Sequence, residues 1–225
     1  MKTLQLHEEF EMLVLDQMRR LRVLDQLVFG GGTMLRLCFD LPRYSVDFDF
    51  YLQKDRRSFL PWAKKLDAMF HQMGAQITDQ QEKHFSFLWE IRMRPYPQRL
   101  KLEIRKEPKK VRSTELNITH SLFSPYQVRL RTLTLEQMWK NKIQALLDRK
   151  EIRDAYDLEF LTRRLAADFS ILEKKLLQKI LDQLESFSEQ DFKSKLGALL
   201  ETKERTVVLS HRFGYLKSKI APLLD

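Results

Sequence analysis

LVFGGGTMLRLCFDLPRYSVDFDFYL, residues 27–52, carries the pattern on which the reading of the chain rests. Leu27-Val28-Phe29 is a short apolar run that stops at Gly30-Gly31-Gly32, as a buried strand running into a glycine turn would. Thr33 to Phe39 reads as a short helix opening on that turn, and Pro42 separates it from the next run. From Ser45 to Leu52, Val46, Phe48 and Phe50 alternate with Asp47 and Asp49, which is the period of two of a strand.

Working outward, residues 5–20 read as an amphipathic helix with Phe10, Leu13, Val14 and Met18 at helical spacing. A second helix is expected over 56–73. Strands are expected around 75–78, 84–92 and 100–105, the last with Leu100, Leu102 and Ile104 facing opposite to Lys101, Glu103 and Arg105. Lys106 to Thr114, basic and holding Pro108, reads as a loop. Leu130 to Leu135 then leads into a helix-rich remainder. Thr134 is placed as an N-cap with Gln137 completing a capping box. Helices are expected near 135–149, 151–165, 170–187, 189–202 and 205–220. The class is α+β, a mixed β-sheet with flanking helices followed by an all-helical C-terminal domain, with domains at 1–125 and 126–225.

Composition narrows the function classes. Forty basic against 31 acidic residues leave a net charge of +9, which favours an anionic partner, nucleotide or nucleic acid, without choosing between them. A helical protein rich in surface lysine has the same charge. The single cysteine, Cys38, excludes an intrachain disulfide and a cysteine-based zinc cluster, and reads as a small core residue on a helix. The five histidines are scattered with no ligand spacing. No apolar run reaches the length of a membrane span, and His7, Glu8 and Glu9 stand where a signal peptide needs an apolar core, so no membrane association and a cytoplasmic location are expected.

Asp47 and Asp49 leave one face of their strand, and two carboxylates that close repel unless a cation or proton joins them. Oxygen-only ligands favour Mg²⁺ or Mn²⁺. If the strand of Glu103 is a neighbour, three carboxylates converge as a two-metal phosphoryl-transfer site requires. Against this stands the plainer reading that Asp47 and Asp49 face solvent and that Glu103 pairs with Lys101 and Arg105. The glycine turn likewise offers either a phosphate cradle, with free N–H groups at a helix start and the Thr33 hydroxyl as an added donor, or a tight turn serving packing alone. Its spacing is neither a P-loop nor a dinucleotide fingerprint.

Phe29-Gly30-Gly31-Gly32-Thr33-Met34-Leu35 followed by Arg43-Tyr44-Ser45-Val46-Asp47-Phe48-Asp49-Phe50 resembles the signature of the AbiEii/AbiGii-type nucleotidyltransferases, a G-G-T-x-L turn and then R-x-S-x-D-x-D-F. A second block, Lys142 to Arg149 and then Arg153-Asp154-Ala155-Tyr156-Asp157-Leu158, is similar to that family's K-x-x-A-x-x-x-R…R-D-x-x-D-L segment. The resemblance implies a nucleotidyltransferase of the DNA polymerase β-like superfamily, often a toxin with an antitoxin partner. Such an enzyme moves a nucleoside monophosphate from NTP to an acceptor hydroxyl, in this branch RNA, including tRNA 3′ ends. Asp47, Asp49 and Glu103 would hold Mg²⁺ (or Mn²⁺). Gly31, Gly32, Thr33, Arg43, Ser45, Lys142 and Arg149 would bind the nucleotide, with Lys142 against the triphosphate.

Read physically, Lys142, Arg149 and Arg153 make a basic stripe on their helices, and Asp154 and Asp157 share a side. For the arginines and Asp157 an ion-pair network joining two helices is the alternative. Phe85, Phe87 and Trp89 read as a core-facing row or as base-stacking rings. Met138 and Trp139 read as core. Lys106, Lys109, Lys110 and Arg112 make a loop that grips an RNA backbone or is simply solvated. A catalytically retired nucleic-acid-binding or regulatory module on the same fold is the alternative to the enzyme.

Overall fold

The computed structural model describes residues 1–224. The chain divides into two units, Met1–Thr134 and the remainder from Leu135.

In the first unit the alternation read from the sequence becomes β2 (Asp47–Leu52), whose burial alternates residue by residue. Phe48, Phe50 and Leu52 are inside, and Asp47, Asp49 and Tyr51 are on the opposite face. β1 (Leu27–Gly30) lies antiparallel beside it, so the Phe29 and Phe50 rings stack at 4.7 Å and Phe48 meets both edge-on. The other strands are β3 (Gln76–Glu82), β4 (Ser86–Arg92), β5 (Leu100–Arg105), β6 (Thr114–Ser121) and β7 (Ser124–Leu133). Together they form one mixed sheet of order β3-β4-β5-β2-β1-β7-β6. The helices are α1 (Lys2–Arg20), α2 (Gly31–Phe39) and α3 (Arg56–Gln72), the last capped by the Asp55 carboxylate, which accepts from the N–H groups of Arg57 and Ser58. This is the α+β class expected.

The hairpin β6–β7 is the element that the sequence pattern did not announce. β6 is an edge strand with its apolar residues turned outward. Leu116 and Ile118 are more than half exposed, while Thr119 beside Ile118 is fully buried and its hydroxyl donates to the Val128 carbonyl. The hydrophobic alternation is therefore inverted where it would be sought. β7 runs through the position where the boundary at 125 was expected, and the division falls after Thr134 instead. Phe87 and Trp89 are core, with the indole N–H donating to Asp67, whereas Phe85 lies before the strand and is exposed. Burial pushes the Cys38 thiol, on α2, up to about 12.

The second unit is helical, with α4 (Leu135–Arg149), α5 (Ile152–Leu165), α6 (Lys174–Glu185), α7 (Thr202–His211) and α8 (Gly214–Ile220). Trp139 is buried as expected, donating to the Thr162 hydroxyl and meeting Phe169 edge-on. Two expected helices are broken. Residues 189–202 form a π-helical turn (Asp191–Leu196) and a 3₁₀ turn before the chain extends at Leu200. The span 205–220 is cut by Arg212 and Phe213, both left-handed. The cut turns Phe213 inward onto Phe192, with ring centroids 5.1 Å apart, and burial of the aromatic offsets the backbone strain. Among the described residues no helix is long and apolar enough to cross a membrane.

Phe50→Ala would leave a cavity under the β1–β2 pair. It should cost about 3–5 kcal/mol, read as a lowered denaturation midpoint. Leu122→Ser, at a residue 93% exposed, should change stability by less than about 0.5 kcal/mol in the same assay.

Candidate active site

Two neighbouring strands bring the acids together. β2 and β5 are parallel, with Asp49 opposite Glu103 and Asp47 opposite Lys101, so Asp47, Asp49, Lys101, Glu103 and Arg105 share one face of the sheet. The neighbourhood of the two strands, left open by the sequence, is thus met. The acids also lean on cations: Lys101 Nζ is 3.5 Å from Glu103 Oε2 and Arg105 Nη2 is 3.9 Å from Asp49 Oδ1. Among the described residues no three metal-ligating side chains form a ready-made cage. The sequence pattern offers Arg105 as a partner of Glu103. It faces Asp49, and its Nε is buried with no hydrogen-bond partner among the described residues.

On the other flank, Gly30 pairs with Asp49 and the chain turns at Gly31 with φ +76. A Cβ on Gly31 would lie 2.3 Å from Asp49 Oδ2 and one on Gly32 would lie 2.4 Å from Arg43 Nη2 and 2.8 Å from Ser45 Oγ. Glycine is required at Gly31 by its φ and by Asp49, while at Gly32 a side chain would have to displace Arg43 and Ser45. The turn, Arg43, Ser45 and the acids therefore form one cluster. Arg43 is nevertheless only 2% exposed, with Nη1 donating to the Tyr44 carbonyl, so it backs the turn from inside.

Thr33 stands differently from expectation. Its side chain is fully buried and its hydroxyl donates to the Asp47 carbonyl at 2.7 Å. The hydrogen expected to meet a phosphate instead holds the strand of acids.

Beneath the acids lies a buried polar layer from α1 that the sequence reading passed over. His7 Nε2 is 3.1 Å from the Val46 carbonyl, which requires the hydrogen on that nitrogen. Glu11 Oε1 is 3.5 Å from the Thr33 hydroxyl, and Glu11 Oε2 has no partner among the described residues. Burial keeps the Glu11 carboxyl well above the ordinary range, and the Glu8 and Asp47 charges add to this. Burial lowers His7 in turn, so for both groups the desolvated site favours the neutral form. The signal was present: His7 and Glu11 continue the helical stripe of Val14 and Met18.

Residues 14–214 match the family profile described as nucleotidyl transferase AbiEii toxin, type IV toxin–antitoxin system. The chain belongs to the AbiEii nucleotidyl transferase toxin family. Among solved structures, JHP933 from Helicobacter pylori is similar at 18% identity and TM-score 0.51, covering 93% of this chain and 94% of that one. A candidate nucleotidyltransferase from H. pylori is similar at 18% identity and TM-score 0.51, covering 94% and 97%. The MenT4 nucleotidyltransferase toxin from Mycobacterium tuberculosis gives 16% identity and TM-score 0.46 over 96% and 87%. The two H. pylori likenesses show the fold. A search of curated proteins finds no match.

In this AbiEii chain Lys142 is buried, its ammonium 2.8 Å from Asp154 Oδ1 and 2.5 Å from Asp157 Oδ2, with both acids fully buried. Arg149, about half exposed, reaches the same Asp154 oxygen at 2.8 Å. The ion-pair network weighed for the arginines and Asp157 thus takes in Arg149 and also Lys142, which joins α4 to α5. Its charge is engaged by two carboxylates in this arrangement rather than free for a phosphate.

Removing that ammonium leaves buried acids uncompensated, so Lys142→Ala should destabilise the protein by about 3–5 kcal/mol in chemical denaturation. Glu11 sets a pH dependence. The folded chain keeps a proton that the unfolded chain releases near 4.5, so stability falls as pH rises from there through the raised folded value. His7 acts oppositely, its contribution being lost as pH falls below 6.5. The wild-type melting temperature minus that of Glu11→Gln, in which the His7 contribution cancels, should therefore shrink as pH rises above 4.5. Parallel curves would refute the raised Glu11.

Proposed function

We propose that the acid face is a divalent-metal and NTP site and that the enzyme transfers a nucleoside monophosphate to a hydroxyl of RNA. The observation that carries this reading is the pairing of Asp49 with Glu103 across parallel strands, beside Asp47 and against the Gly31 turn. The donor set fits Mg²⁺ or Mn²⁺, its ligating atoms being carboxylate oxygens, with Lys101 and Arg105 as the cations now beside them. Asp47, Asp49 and Glu103 would hold the ion, which when bound polarises the reacting phosphate and neutralises developing charge.

The rest falls to the chain. No side chain caps the start of α2, so the N–H groups after Gly31 and Gly32 and the positive helix end are suited to the triphosphate. Ser45 lines that flank. Thr33 and His7 act from beneath, holding the carbonyls of Asp47 and Val46. Arg105, beside Asp49, would meet negative charge on the transferred group. In the reaction the acceptor oxygen bonds to the α-phosphorus, the bond to the β-phosphate oxygen breaks, and pyrophosphate leaves as the hydroxyl proton passes to the medium. Lys142 enters as an organiser of the helical unit, and Arg149, partly exposed, can still meet an anion. We place the action in the cytoplasm, where NTP and RNA are held, and expect a cognate antitoxin as partner.

Incubation with each labelled NTP, Mg²⁺ and total RNA should give labelled RNA with one nucleotide preferred. Asp47→Asn and Asp49→Asn should each lower the label by about 100-fold or more with an unchanged melting profile. Wild-type transfer by the Asp47→Asn protein would sink the assignment.

A further inference from the structure

A groove of about 490 Å³ opens from Asp47 on the side away from the glycine turn. It is lined by Asp47, Glu90, Arg92, Gln98, Arg99 and Lys101 among others. The register explains its shape. Asp47 of β2, Lys101 of β5 and Glu90 of β4 stand in one row across three adjacent strands. Arg92 lies two residues further along β4 and continues the same face, and Arg99, just before β5, lines the groove beside it. Three strands at about 4.8 Å spacing make this row about 10 Å wide.

The charges are unevenly satisfied. Arg99 pairs with Glu90 at 2.8 Å and Lys101 reaches Glu103 only at 3.5 Å. Arg92 is exposed and its guanidinium has no ion pair among the described residues. Gln98 contributes an Oε1 that is buried with no hydrogen-bond partner among the described residues. A buried acceptor without a donor is costly, and because Gln98 also lines the groove, a turn of its amide toward a ligand's donor relieves that cost.

We infer that this groove receives the acceptor strand, a single-stranded RNA whose 3′ hydroxyl is delivered to Asp47, with Arg92 and Arg99 on its phosphates and Gln98 Oε1 accepting from a ribose 2′-hydroxyl. The inference rests on the reading of RNA as acceptor and adds where and by which groups it is held. The nucleotide flank offers backbone N–H groups. The opposite flank offers side-chain cations, which suit a backbone of repeated phosphates. The 2′-hydroxyl is a donor that DNA lacks, so Gln98 gives a reason to prefer RNA.

The test is fluorescence anisotropy with a labelled single-stranded RNA oligonucleotide, without NTP or metal, across a salt series. Arg92→Ala/Arg99→Ala should weaken binding tenfold or more, with the slope of log K against log salt shallower by about 0.7 for each phosphate no longer neutralised. The charge-matched control Lys175→Ala/Lys179→Ala, on α6, should stay within a few fold of wild type. Thermal stabilisation by NTP with Mg²⁺ should be the same in the groove variant and the wild type. DNA of the same sequence should bind more weakly than RNA, and Gln98→Leu should narrow that difference. Equal losses in groove and control variants, loss of the NTP response instead of RNA affinity, or equal binding of DNA would each overturn the proposal. RNA binding that depends on Arg92 and Arg99 without any transfer would leave the groove standing and sink the transferase reading alone.

Discussion

The alternation of β2 is the constraint on which the first unit depends. One face supplies Phe48 and Phe50 to the core, and the other supplies Asp47 and Asp49 to the site. A slip of one residue against either neighbour would bury two carboxylates and expose two aromatic rings. The register is held on both faces: below by the Phe29–Phe50 stack, above by the approach of Gly31 to Asp49, where any side chain would collide. Core and site are therefore fixed by the same pairing.

Charge is arranged with the same economy. Three acids share a face, and burial shifts Glu11 and His7 beneath them each toward its neutral form. His7 and Thr33 touch backbone rather than ligand. Their hydrogen bonds to the Val46 and Asp47 carbonyls fix the strand from behind and leave its carboxylates to face outward. Under the proposed function a neutral support would suit the site, since a buried carboxylate beneath it would compete for the cation.

What could be read in the sequence was whatever had strong local contrast. The glycine turn, the D-x-D strand and the acid-bearing β5 each stood out as pattern, and the strands do pair. Residues whose meaning depends on a distant partner did not stand out. Thr33 looked like a ligand donor because the Asp47 carbonyl that takes its hydrogen is invisible in a sequence. Lys142 looked free because burial of Asp154 and Asp157 cannot be inferred from a three-residue spacing. The β6–β7 hairpin failed for another reason, since an edge strand with Leu116 and Ile118 outward reverses the rule used to find strands. The break at Arg212–Phe213 is offset by burial of one ring, which no local propensity records.

The two flanks of the acid face differ in kind, and the difference bears on how two substrates could be told apart. On the β1 flank the groups offered are backbone N–H groups after two glycines, with Arg43 buried behind them, so the geometry is set by the fold itself. On the β4 flank they are long side chains, exposed and only partly paired, which adapt at some entropic cost. A fixed cradle suits a ligand with one invariant part, such as a triphosphate. Adaptable cations suit a polymer whose backbone repeats but whose path varies. Under the proposed function, placing the acids between a rigid flank and a pliant one would let the constant part of a nucleotide be read by shape while the acceptor is gathered by charge. Under the proposed function, that division accounts for a strongly basic chain whose reacting groups are nonetheless acidic.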